Sequence, residues 1–455
     1  MPKNKKISCY LTLIPIAIIL CLFIWLFTII FEGEKPLVSL EPLPEFLSKK
    51  QTFTLNISDL KRGLKEINVT YNQGGRKVTF FEQKFPFQGL LNREGVRNFK
   101  KELEIDPSEL HLAQGRVDLE VHVWDYSRRS GGDGNMSVIQ HKMTVDTIPP
   151  AIRAISRMHN ITQGGAGLVV YRASSDTIES GLYVDELFFL GFPAEEKSKE
   201  GIYLTYFALP HNSSLDPYIY LWAKDRAENT TNATFYYHVR KNTFGSERMN
   251  ISDSFLKRVL PYFSDYDFDP QDSDIEKYIK INNDLRKKDD EFLFDLMKKT
   301  EIESYWEGTW LSLKNAATMA RFADHRTYYY KGEKIDEQFH LGIDLASLAN
   351  SPVEAGNSGK VLFAGKNGIY GLMVVIDHGQ GLASLYGHLS GMEVATGDIV
   401  KKGDIIGNTG QTGLAGGDHL HFSMLVHGVF VNPLEWLDGH WITDNITSKL
   451  DLINQ

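Results

Sequence analysis

Between Tyr10 and Phe31 the chain reads YLTLIPIAIILCLFIWLFTIIF, 22 residues without a charge. A helix of that length rises about 33 Å, enough to cross a hydrocarbon core of roughly 30 Å. Lys3, Lys5 and Lys6 precede the run, and Glu32 and Glu34 follow it. The charge order predicts a short cytoplasmic tail (1–9), a transmembrane helix (10–31) and everything beyond it on the far side of the membrane. A cleaved signal peptide is the competing reading, but the run is long for one and no small-x-small site follows.

The remaining chain is long enough for several cores, since the total is 455 residues and domains average roughly 100–200. Both cysteines, Cys9 and Cys21, lie at or inside the apolar run. Disulfides and thiolate metal sites are therefore excluded from the rest, and any metal there must be held by His and carboxylate. Beyond the run, 46 basic residues face 58 acidic ones. No nucleic-acid partner is expected, because binding one needs a basic face.

Residues 36–148 alternate apolar and polar positions in short runs, as in VDLEVHVWDYS (Val117–Ser127) and HKMTVD (His141–Asp146), with Gly, Asn and Asp between them. That is strand and hairpin punctuation. Pro149-Pro150 closes this block, and residues 149–241 end in YIYLWAKDRAENTTNATFYYHVRK, which repeats the strand–Asp–turn–strand pattern. Two tandem β-sandwiches are expected, and they resemble bacterial immunoglobulin-like modules. The resemblance implies spacers or positioning modules, with envelope proteins as partners the other use of such surfaces. From 242 to 330 the pattern changes: Ile275, Ile279, Leu285, Phe292 and Leu296 recur at near-helical spacing among Lys, Asp and Glu, and Trp310–Ala320 reads similarly. Connecting helices are predicted. The acidic run Ser264–Asp274 lacks the Gly and terminal Glu of a calcium loop and reads as solvated linker.

Residues 331–440 differ again, and a tail of 441–455 follows. Gly332 to Gly439 holds 20 of the 38 glycines, and seven of the 14 histidines fall between His340 and His440. Short apolar runs between Gly turns predict a compact antiparallel β domain. On a strand, His419 and His421 of HLHF project to one face. HLGID adds His340 and Asp344, giving two nitrogen donors and one oxygen with a fourth position open, the ligand count of catalytic zinc. Spacing leaves open whether His419, His421 or both face the metal, and residue type does not exclude manganese or iron. YGHLS adds His388, which reads equally as a surface turn histidine. No HExxH glutamate is present, so histidine must do any proton work. RFADHRTYYYKGEK (Arg321–Lys334), just before the first ligand, reads as a hairpin packing on the domain, the alternative being a blocking segment whose His325 or Asp324 approaches the metal.

Four segments, HLGID, VVIDHGQGLASLYGHLS, VATGDIVKKGDIIGNTGQTG and GGDHLHFSMLVHGVFVNP, stand in the order and spacing of the lysostaphin-type, LytM-like zinc metalloendopeptidases, which they resemble over about Lys331–Asp438. The resemblance implies that His340, Asp344 and His421 bind one zinc ion and that His388 and His419 are the catalytic histidines. It implies hydrolysis of peptide bonds in peptidoglycan by an enzyme held in the bacterial cytoplasmic (inner) membrane, single-pass, N-terminus inside, with its catalytic domain periplasmic or extracellular. The alternative is a non-cleaving protein that binds wall or activates a hydrolase; relatives of that kind typically lose zinc ligands, and this sequence keeps them. The fold expected overall is mainly β: a transmembrane helix, two immunoglobulin-like sandwiches, a helical linker and a Gly-rich antiparallel metallopeptidase domain.

Overall fold

A computed structural model describes residues 4–194 and 201–454, and the architecture is mainly β. Contacts divide the chain into two compact units, 1–149 with 226–229 and 150–225 with 230–455.

The first unit begins with helix α1, Asn4–Ile30. Its window Leu13–Ile30 has a mean hydropathy of 3.0 and none of it is buried, so the helix is long and apolar enough to cross a membrane. Just past its end the chain is tied to the β-structure. Ser127 Oγ donates to the Glu32 carbonyl at 2.8 Å and Asn135 Nδ2 donates to the Glu32 carboxylate at 2.9 Å. A three-stranded sheet (Leu37–Glu41, Gln51–Ser58, Asn98–Ile105) and a five-stranded sheet built on Leu64–Gln73, Gly115–Asp125 and Met136–Val145 close on one core. Phe53, Leu55 and Leu103 from the first meet Ile67, Val69, Val121 and Val123 from the second. The strict alternation of buried and partly exposed residues along Gly115–Asp125 is what a one-sided sheet requires.

The second unit opens with two four-stranded sheets, one around Ala166–Ala173 and Ile202–Ala208, the other around Thr177–Val184 and Ile219–Asp225. The strand β1 (Ser246–Ile251) follows. Helices α2 (Asp253–Val259), α3 (Asp274–Lys280) and α4 (Arg286–Met297) come next, so the helices expected between Ile275 and Thr300 are present. Ser273 and Glu276 form a reciprocal capping box at the start of α3, satisfying two backbone donors. Trp310–Ala320 does not form the helix its spacing predicts. It is extended chain ending in strand β2, Ala317–Ala320. Its apolar spacing reflects tertiary contacts: Trp310 is buried against Trp306, His378 and Trp436, and Asn315 adopts a positive φ of 57°.

Next comes the hairpin predicted before the first ligand, β3 (His325–Tyr330) and β4 (Glu333–Phe339), turned at Lys331 and Gly332. The parallel partner of β3 is β1. The site-bearing sheet contains β5 (Ile343–Ala346), β6 (Gly359–Asn367), β7 (Gly371–Gly379), β8 (Leu382–Leu389), β9 (Ile399–Val400) and β10 (Leu420–Val426), in the order β2-β5-β10-β8-β7-β6-β9, with Val429–Val431 pairing β10. Every residue of β8 and β10 is buried, because both faces of the central sheet are covered. One continuous hydrophobic cluster runs from Ile161 through Leu293 and Val375 to Ile446.

Candidate active site

Strand register brings the motif residues together. Asp344 on β5 is the direct partner of His421 on β10, and Gly387 on β8 is the partner of His421 on its other side. Asp344 and His421, 77 positions apart in sequence, thus meet on adjacent strands, with Gly387 on the third. His388 follows Gly387 with a positive φ of 61°, a costly conformation for a non-glycine residue. The middle glycine of HLGID also has a steric reason: a Cβ on Gly342 would lie 2.6 Å from the His421 ring and 2.5 Å from Ser423 Oγ.

The three donor atoms form a tight triangle. His340 Nε2 is 2.9 Å from Asp344 Oδ1 and 3.0 Å from His421 Nδ1, and His421 Nδ1 is 3.0 Å from the same oxygen. All three residues are buried, and the donor cluster is one that could hold a metal ion. Tautomers follow from the outer nitrogens. His340 Nδ1 lies 3.0 Å from the Arg321 carbonyl and must carry the proton there. Ser423 Oγ spends its single proton on the Leu341 carbonyl at 2.7 Å, so it accepts from His421 Nε2 at 2.9 Å. Two imidazole lone pairs and a carboxylate oxygen therefore face one another at 3 Å. That donor set repels itself unless a cation sits among it, and such outer contacts are those that orient metal ligands. The residues fit zinc.

His388 and His419 complete the constellation without joining the triangle. His388 Nδ1 is 2.8 Å from the Thr412 carbonyl and His419 Nδ1 is 2.8 Å from the Gly417 carbonyl, which leaves each Nε2 directed elsewhere. The His388 ring centre lies 4.9 Å from that of His419 and 5.8 Å from that of His421, and His419 Nε2 is 3.5 Å from Asp344 Oδ1. Burial pushes His388 well below the ordinary histidine range and His421 down to about 4, so both rings are neutral at pH 7. Burial also opposes charging of His419, but its contact with Asp344 outweighs this and raises it. All five residues line a cleft of about 890 Å³ that also takes in Arg326 and Tyr370.

Neither Asp324 nor His325 of the preceding hairpin approaches the metal site. Asp324 accepts from the Arg321 backbone N–H, and His325 faces Glu337. It is Arg326 that reaches the centre, contacting Asp344 Oδ2 at 3.0 Å. Nothing in a Tyr-rich hairpin sequence points to that arginine. Ser423 was within reach of the sequence, since it continues the alternation His419, His421, Ser423 along one strand face.

Fold and site together define an antiparallel β domain with a metal-ready His–Asp–His centre flanked by two further imidazoles. Residues 338–433 match the family model for Peptidase family M23. DD-carboxypeptidase/endopeptidase Mpg of Neisseria meningitidis is 41% identical over 97 residues, 21% of this chain and 22% of that protein. Stage II sporulation protein Q of Bacillus subtilis is 38% identical over 101 residues, 21% of this chain and 36% of that one. The catalytic domain of lysostaphin from Staphylococcus simulans is 29% identical over 29% of this chain and 98% of its own, with a TM-score of 0.26. The chain thus spans about a fifth of the length of curated relatives such as Mpg.

Proposed function

We propose that this chain is a membrane-anchored zinc metalloendopeptidase that hydrolyses peptide bonds of peptidoglycan outside the cytoplasmic membrane. The observation that carries the reading is the convergence of His340 Nε2, Asp344 Oδ1 and His421 Nδ1 beside two further histidines, His388 and His419, whose Nδ1 atoms are tied to backbone carbonyls. The M23 domain and the names of relatives such as peptidoglycan DD-endopeptidase ShyC of Vibrio cholerae, 37% identical over 94 residues, support the substrate. Helix α1 supports the anchor, and Lys3, Lys5 and Lys6 ahead of its apolar run support an N-terminus inside.

His340, Asp344 and His421 would hold the zinc, which when bound supplies Lewis acidity toward a peptide carbonyl and a nucleophile from water at neutral pH. Ser423 and the Arg321 carbonyl hold the two imidazoles in the tautomers that present a lone pair inward. With Nδ1 of each tied to a backbone carbonyl, His388 and His419 in their neutral forms accept a proton at Nε2 and return it from the same atom. Such a pair takes the proton from the attacking water and delivers it to the departing amine nitrogen, a contribution of about 10²–10⁴ in rate. The β-rich blocks and the segment before the M23 domain serve as spacer and support.

The test is mass spectrometry of fragments released from purified peptidoglycan by the zinc-loaded full chain in detergent, beside His388→Ala. Peptide-cleaved fragments from the parent and none from the variant are expected. No release from either overturns the reading in favour of a wall-binding or hydrolase-activating role.

A further inference from the structure

The M23 match begins at residue 338, yet a charged contact of the candidate centre comes from before it. Arg326 on β3 donates from Nη2 to Asp344 Oδ2 at 3.0 Å and from Nε to Glu247 Oε2, also at 3.0 Å. Glu247 lies on β1, where it is the register partner of Arg326 across the parallel pair. The arginine and aspartate side chains are 16% and 12% exposed, so that pair is largely buried, while Glu247 at 34% lies at the edge of the cleft.

The two oxygens of Asp344 have separate partners. Oδ1 faces His340 and His421, and Oδ2 faces the guanidinium. A carboxylate with both oxygens free can close on a cation through one or both, and the two modes give different ligand counts. A guanidinium N–H on Oδ2 leaves Oδ1 as the sole inward donor. A bound cation would repel the guanidinium, but its Nε is held by Glu247, which opposes withdrawal. Arginine suits this task because its planar fork places two donors toward two carboxylates at once, and a lysine has no such fork.

We propose that Arg326 is a positioning residue of the metal centre, fixing Asp344 to present one oxygen, and that Glu247 fixes Arg326 in turn. The working centre then extends to β1, outside the segment that matches the family. The proposal rests on reading His340, Asp344 and His421 as a zinc site.

The experiment uses the full chain in detergent, stripped of metal and titrated with zinc against a chromophoric chelator, and in parallel loaded with cobalt(II) for its visible spectrum. R326Q is expected to lose about 10–100-fold in zinc affinity, the range for partners that orient metal ligands. Its cobalt absorption should weaken as Asp344 closes through both oxygens and the ligand count rises. R326K, able to serve one carboxylate at a time, should fall between parent and R326Q. E247Q should lose at least about threefold in affinity. Parent-like affinity and cobalt spectra in both R326Q and E247Q overturn the proposal. If R326Q lacks the parent's near-UV circular dichroism, folded E247Q decides alone, and parent-like behaviour there overturns it. A parent that binds no zinc, or H421A binding as tightly as the parent, overturns the underlying zinc reading instead.

Discussion

Asp344 and His421 are register partners on adjacent antiparallel strands, and Oδ1 of the one lies 3.0 Å from Nδ1 of the other. Neither can leave without unmaking the triangle that His340 completes. H421A and D344A should therefore lower zinc affinity by more than the roughly 100-fold typical of losing an outer partner, and peptidoglycan cleavage should vanish with it. Chelator competition and metal analysis of the purified variants check this, with zinc add-back restoring the stripped parent only.

His388 and His419 sit beside the triangle, so their variants should separate chemistry from metal binding. H388A and H419A are each expected to keep zinc affinity within about tenfold while losing about 10²–10⁴ in kcat. A parallel fall in metal content would show instead that they act as ligands.

Ser423 and Gly342 both act on the His421 ring. Ser423→Ala removes the acceptor on Nε2 and should cost about 10–100-fold in zinc affinity. Gly342→Ala places a methyl group 2.6 Å from the ring and should be the more damaging of the two. Zinc titration of both variants gives the ranking.

The buried histidines of the second unit should each lose their contribution to stability in acid, while Glu435, Asp289 and Asp290, which burial raises to about 8, 7 and 6, change in the opposite sense. Burial holds His159, His378 and His427 down to about 4, against 6.5 for a free imidazole. As pH falls below 6.5 the unfolded chain takes up protons that the folded one refuses. The stability these neutral rings contribute is thus complete above about pH 6.5 and lost toward pH 4, at up to about 3 kcal/mol each. Among the described residues His427 Nε2 is buried without a hydrogen-bond partner, and its ring packs on Phe189 and Phe192. His427→Phe should therefore lose less stability than the parent between pH 6.5 and 4, read from thermal unfolding of both at pH 7.5, 6, 5 and 4.

Helix α1 should decide where the chain is found. The full chain is expected in the membrane fraction after alkaline carbonate extraction, and a chain starting at Glu32 in the soluble one. Recovery of both in the soluble fraction would remove the anchor from the proposed function.

Much of the site was legible because its chemistry is carried by residue type. With no cysteine beyond Cys21, any metal centre had to be built from histidine and carboxylate, which made His340, Asp344, His419 and His421 the candidates, and a strand's period of two put the last pair on one face. Period alone said nothing of which histidine closes the triangle. It also misjudged Trp310–Ala320, where apolar spacing arises from contacts with Trp306 and Trp436 and not from a helix face.

The sequence by itself determined the apolar helix, the Gly-turned β domain and the donor types, because charge, length and period are local properties. Only the tertiary structure decided that Asp344, His421 and Gly387 lie side by side, since register between strands is set by pairing across the sheet. It alone placed Arg326 and Glu247 at the centre, because β1 and β3 are distant in sequence and meet only when the sheet forms.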